Sequence, residues 1–214
     1  MKRLAALILV MLCGSAVADP PTTLLSGTPA TGAAVDPAFA HLKLDRLRCT
    51  FSEAKHVALL AKPLTSTGTI YFDHDKGIAR VQKTPKPQSV VVTKTAVRIK
   101  TATKVEEIPL DKSKDLKAFA LVFPTLLRGD RAELEKSFAI GLYGKDADWW
   151  ALSFTPKSDS LKKIVTSVVV IGHKDEPVAL KIVEASGDTT DTQLTELTKN
   201  RDVPDSEITA AFGN

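Results

Sequence analysis

The stretch GTIYFDHDKGIARVQKTPKPQSVVVTKTAVRIKTATKVEEI, residues 68–108, decides the fold. Residues 69–72 read as a strand with Ile70 and Phe72 on one face, because side chains alternate with a period of two. Asp75-Lys76-Gly77 turns the chain, and residues 78–81 form the next strand. Residues 83–87 are a proline-marked connection. Residues 89–93, 96–100 and 104–108 are further short strands, rich in Val, Ile and Thr and separated by short gaps. That spacing predicts an antiparallel meander.

Downstream the meander is interrupted. Asp111 can cap a helix carrying Leu116, Phe119, Ala120, Leu121 and Phe123, which Pro124 ends or kinks. Leu126 and Leu127 continue the apolar character, Gly129-Asp130 breaks it, and Ala132, Leu134 and Glu135 belong to a short second turn of helix. Strands resume at 138–143, 149–154, 164–171 and 178–184, with a Thr-rich candidate at 189–197. Gly144-Lys145-Asp146, Pro156 with Ser158-Asp159, Gly172 with Asp175, and Gly187-Asp188 are turn signals between them. Pro204-Asp205 starts a last helical turn ending near Phe212. The expected fold is α+β, mainly β: a curled antiparallel sheet, or incomplete β-barrel, of about ten strands with a helical lid.

Upstream, a stretch without clear periodicity runs from Phe51 through His56, Val57, Leu59 and Leu60 to Lys62-Pro63. Asp36-Pro37 is a helix-start signal, an acid at the cap followed by a proline. Phe39, Leu42 and Leu47 give a loosely helical apolar face up to about Leu47. Residues 19–36, rich in Pro, Thr, Gly and Ala, read as a flexible lead-in to a domain at 37–214. Residues 1–18 read as a cleavable signal peptide: Lys2-Arg3, the apolar run 4–12, then Ala16-Val17-Ala18 before Asp19. Lipidation at Cys13 is the rival reading, and Leu12 disfavours it because a small residue normally precedes such a cysteine.

Composition removes several function classes. Without the leader the chain keeps 27 basic and 25 acidic residues, a net charge of +2 with no basic stripe, so no nucleic-acid partner is indicated. Cys49 then stands alone and reads as a small buried hydrophobe. His41, His56, His74 and His173 are not spaced as metal ligands. Glu106 and Glu107 point to opposite faces of a strand and form no dyad. No nucleophile elbow, phosphate loop or dinucleotide fingerprint occurs. Neither an enzyme nor a cofactor is indicated.

Several stretches resemble the LolA-like lipoprotein carriers. Phe51-Ser-Glu-Ala-Lys55, then Pro63-Leu64-Thr-Ser66-Thr-Gly68, then Asp75-Lys-Gly77-Ile78 follow that family's order. So do Gly129-Asp130, Leu134, Phe138, Trp150, Leu152 and Phe154-Thr-Pro156, and finally Ile182-Val-Glu184 with Gly187-Asp188-Thr-Thr190-Asp-Thr192. The resemblance spans residues 39–212. It implies a periplasmic, monomeric carrier that shelters the acyl chains of a lipoprotein or related lipid under a movable lid. It also implies an inner-membrane release complex and an outer-membrane receptor as partners. The cavity is then expected to be lined by Ile70, Phe72, Val97, Ile99, Phe138, Ile140, Trp150 and Leu152 from strands, with Leu121, Phe123, Leu126 and Leu127 from the lid. The sequence departs from the family at Asp73-His74, where carriers using the standard export route have an arginine, and this leaves cargo and route open. The alternative is an envelope scaffold or binding module that uses the same fold without lipid transfer.

Overall fold

A computed structural model describes residues 20–144 and 148–213. The leader, Cys13, the start of the lead-in at Asp19, Lys145-Asp146 and the terminal Asn214 lie outside the described residues. The chain forms β1 (Arg46–His56), β2 (Leu64–Asp73), β3 (Gly77–Thr84), β4 (Gln88–Val92), β5 (Ala96–Thr101), β6 (Val105–Pro109), β7 (Phe138–Tyr143), β8 (Trp149–Pro156), β9 (Val165–His173), β10 (Glu176–Glu184) and β11 (Thr189–Lys199). The helices are α1 (Asp36–His41), α2 (Lys114–Ala120), α3 (Val122–Leu127), α4 (Arg131–Glu135), α5 (Asp159–Lys162) and α6 (Asp205–Gly213).

All eleven strands join one antiparallel sheet in the order β6-β5-β4-β3-β2-β1-β11-β10-β9-β8-β7. It is two meanders joined where β1 pairs with β11, with Phe51 opposite Leu194 and Glu53 opposite Thr192. β6 and β7 are the two edges, so the sheet is not closed into a barrel. The mainly β, open-barrel architecture expected from patterning is therefore the one observed. The chain must pass from the β6 edge to the β7 edge, and α2, α3 and α4 carry it across one face. That face holds the main core; α6 packs on the other, where Ala79, Val91 and Ala211 meet Tyr71, Val81 and Phe212. Arg48 pairs with Glu207 at 3.0 Å and Arg98 donates to the Phe212 carbonyl at 2.6 Å, which fixes α6 there.

Several local expectations are corrected. The eleventh strand is β1, where Leu47, Cys49 and Phe51 alternate inward but Glu53 and Lys55 occupy the next inward positions and break the apolar pattern. The first helix stops at His41 and Leu47 lies in β1, because Leu42 and Leu44 are buried by a turn rather than a helix. Asp36 is the first helical residue and no cap; its carboxylate pairs with Arg131. Ser113, not Asp111, caps α2, accepting from the Leu116 amide at 3.2 Å. The stretch read as a lead-in includes a 3-10 turn at Gly32–Val35. It also touches the sheet: the amide and carbonyl of Ala30 exchange hydrogen bonds of 2.8 Å with those of Leu142, covering part of the β7 edge.

Candidate functional site: the helix-covered face of the sheet

Register decides which side chains share the covered face. Leu142, Leu152, Val170 and Leu180 form one row across β7 to β10, and Ile140, Phe154, Val168 and Ile182 form the next. In the other meander Leu47, Phe72, Ile78, Val92, Val97 and Ile108 form a row, and Cys49, Ile70, Arg80, Val90, Ile99 and Glu106 its neighbour. Gly172 leaves space for Trp150, since a Cβ there would lie 1.9 Å from the indole. The indole nitrogen donates to the Lys174 carbonyl at 2.6 Å, so the ring is held in one pose. From the helices, Val35, Ala38, Phe39 and Leu42 around α1 and Val122, Leu126, Leu127 and Leu134 of α3 and α4 meet these rows in one apolar cluster.

All eight strand residues expected at the cavity lie on this face. Phe72, Phe138, Ile140, Trp150 and Leu152 are buried in the cluster, as are Leu126 and Leu127 from the lid. Ile70 and Phe123 are half-buried against it. Val97 and Ile99 lie on β5 beyond the cluster and keep part of their surface. Leu121 lines a cleft of about 250 Å³ with Lys114, Lys117, Ala118, Thr125, Glu133, Leu134, Ser137 and Phe138. The unfilled apolar volume expected beneath the lid is not present at the centre. Phe72 and Leu152 are 0% exposed and Leu126 1%, which leaves no open space against them for an acyl chain. The lid's own side chains occupy the space, because apolar surface left open to water costs about 25 cal/mol per Å².

The lid has a break and a loose half. Pro124 is in the first turn of α3, and the interruption falls earlier, at Leu121, whose φ of −91° and ψ of 1° leave the helical region. A proline ring clashes with the carbonyl four residues back, here that of Ala120, where α2 ends. Beyond the break, α3 buries Val122, Pro124, Thr125, Leu126 and Leu127; before it, α2 buries no side chain fully. The anchored half is tied to the connections that flank the sheet, by Leu44 N–H, ahead of β1, to the Leu127 carbonyl at 2.9 Å and by Arg128 Nε to the carbonyl of His74 in the β2–β3 turn at 2.9 Å. α2 is held by the Ser158 hydroxyl donating to Asp115 at 3.0 Å. His74 thus contributes its backbone carbonyl, which accepts from an arginine of the lid. Asp73 is buried as a turn-former: its carboxylate accepts the amides of Asp75 and Lys76 at 3.1 Å and pairs with Arg46 at 3.2 Å.

A polar cluster lies on the same face and was not foreseen from the sequence. Arg80 donates to Glu53 at 2.8 Å, to Ser66 at 2.8 Å and to Gln82 at 2.9 Å, and stacks 4.2 Å over the Phe51 ring. Thr192 donates to the second Glu53 oxygen at 3.3 Å. Burial lowers the Arg80 pKa while Glu53 opposes the shift. The available signal was the period of two: Glu53 continues the inward register of Cys49 and Phe51. The cluster marks where the apolar part of the face ends. Among the described residues no group of three His, Cys, Asp or Glu side chains could hold a metal ion. No described helix is long and apolar enough to cross a membrane.

A family model described as outer membrane lipoprotein carrier protein LolA-like matches residues 29–211. No curated protein sequence matches the chain. Among solved structures, a LolA superfamily protein from Nitrosomonas europaea is similar at 13% identity and a TM-score of 0.46, over 83% of this chain and 96% of that one. The MucA/MucB complex structure from Pseudomonas aeruginosa is similar at 14% identity and a TM-score of 0.47, over 83% of this chain and 60% of that one. LprF from Mycobacterium bovis is similar at 14% identity and a TM-score of 0.39, over 84% and 99%.

Proposed function

Because the chain belongs to the LolA-like outer membrane lipoprotein carrier family over residues 29–211, we propose that it is a periplasmic carrier. It shelters the acyl chains of a lipoprotein, or of a related lipid, between sheet and lid during transport toward the outer membrane. The observation that carries this reading is the division of one apolar face between a continuous sheet and a helical block broken at Leu121, whose first helix buries no side chain fully. An acyl chain of about sixteen carbons gains on the order of 12 kcal/mol on leaving water, at about 0.8 kcal/mol per methylene. Cargo enters by displacing lid side chains such as Leu126 and Phe123 from the sheet, and the lid's return to those rows promotes release. The chain acts by binding and not by catalysis. Its partners are an inner-membrane release complex and an outer-membrane receptor, and the departure at Asp73-His74 leaves the route between them open.

The filled centre of the face favours a second reading, an envelope scaffold that never opens. Mass spectrometry of the protein purified from its own envelope separates the two. Co-purified acyl lipid, displaced stoichiometrically by a fluorescent fatty-acyl probe, supports the carrier. A folded protein without lipid and without affinity for the probe supports the scaffold.

A further inference from the structure

The two ends of the sheet differ in chemistry. The antiparallel order places the β1–β2, β3–β4 and β5–β6 loops side by side at one end. Strands lie about 4.8 Å apart, so these six strands make a rim roughly 25 Å long. Among the described residues five large apolar side chains are exposed, and four of them sit on this rim: Leu59 at 94%, Leu60 at 49%, Leu64 at 55% and Val105 at 61%. Lys62, Lys83, Lys86, Lys100 and Lys104 are exposed beside them. Lys104 pairs with Glu106 at 2.6 Å. Residues 57–63, 83–88 and 100–105 contain no carboxylate; the carboxylate that reaches them from the neighbouring β10–β11 turn, Asp188, is engaged by the Ala58 amide at 3.2 Å. At the other end of the same strands the β2–β3 turn carries Asp73 and Asp75, and neither that turn nor the β4–β5 turn exposes a large apolar side chain. Nothing in the packing explains Leu59, which would fold equally well as a polar residue.

We propose that this rim docks the protein on an anionic lipid surface, with Leu59 and Leu60 entering the acyl boundary and the lysines facing phosphate headgroups. An acidic protein face would satisfy the lysines but would need a shaped pocket for each protruding leucine. A fluid bilayer needs none. The inference concerns a surface outside the covered face and does not depend on acyl cargo.

The test is co-sedimentation with phosphatidylcholine vesicles, with and without phosphatidylglycerol. Three variants are compared: Leu59→Ser with Leu60→Ser, Lys83→Glu with Lys86→Glu, and, at the opposite end, Lys76→Glu with Lys94→Glu. All share one N-terminus, so any contribution from residues 1–18 cancels, and the two lysine pairs change net charge equally. Binding is expected only with phosphatidylglycerol, weakened by salt and about tenfold or more by either rim pair, and little changed by the opposite-end pair. Acyl-probe binding should be unchanged in the rim variants, so loss of docking is distinguishable from failure of the carrier reading. Equal binding to both vesicle types, or rim variants that bind like the parent, overturns the proposal. Salt-sensitive capture on polyglutamate without vesicle binding overturns it in favour of a protein partner.

Discussion

Arg128 Nε donates to the backbone carbonyl of His74 at 2.9 Å, tying the end of α3 to the β2–β3 turn. Its guanidinium is partly buried, which lowers its pKa, and its Nη2 is buried with no hydrogen-bond partner. The contact is therefore a latch with an energetic cost built into it. Arg128→Ala should cost at most about 1–2 kcal/mol of stability, because the lost hydrogen bond is offset by removal of an unsatisfied donor. It should also speed association of a fatty-acyl probe, measured by stopped-flow fluorescence. An unchanged association rate in the folded variant would show that the latch does not limit opening.

Leu121 is the break in the lid, Phe123 lies in the first turn after it, and both are only half-buried. Replacing both with serine should weaken acyl-probe affinity while the strand ladders survive, because neither side chain is among the buried residues of the main cluster. Probe titration beside far-ultraviolet circular dichroism decides. Full affinity in a folded double variant would remove these two residues from the site, and loss of folding would make them ordinary core.

Cys49 is 1% exposed, and burial pushes its thiol up to about 12 from an ordinary value of 9.0. It should resist alkylation at neutral pH in the native protein and react fully in denaturant. The sign of the stability effect follows from linkage. The unfolded chain releases the thiol proton near pH 9 and the folded chain only near pH 12, so in between the native state holds more protons. This contribution is complete below pH 9 and is lost as pH rises toward 12. Unfolding free energies from urea titrations above pH 9 should therefore fall faster for the parent than for Cys49→Ala, by up to about 1.4 kcal/mol per pH unit. Parallel curves would refute it.

Glu53 and Arg80 form a half-buried ion pair, with side chains 23% and 24% exposed. Glu53→Ala leaves the guanidinium without its counter-charge and should destabilise the fold by about 2 kcal/mol, the cost of stranding a partly desolvated charge. Adding Arg80→Met should recover most of that loss, since the thioether can lie on Phe51 as the guanidinium does. Additive losses in urea unfolding would show that the two residues are not coupled through this contact.

What the sequence determined by itself was the local alternation and its punctuation. Ile70 with Phe72, Val97 with Ile99, Phe138 with Ile140, and Trp150 with Leu152 could each be placed on one side of their own strand, because a period of two depends only on neighbours in the chain; that the four pairs share one face of the sheet was decided by strand register. The family and the presence of a helical block were legible for the same reason, through short motifs in order. Other features were decided only by the tertiary structure. β1 closes the two meanders into one sheet by pairing Phe51 with Leu194. Asp36 spends its charge on Arg131 instead of a helix cap. Glu53 reaches across β2 to Arg80 on β3. Each of these partners is distant in sequence, and a charge or an amide is satisfied by whichever partner the assembled sheet brings within hydrogen-bonding reach. The filled centre has the same origin: Leu126 and Phe72 were each readable as apolar and inward, but whether they meet each other or an acyl chain depends on how closely a helix crossing from β6 to β7 can settle onto the curved face.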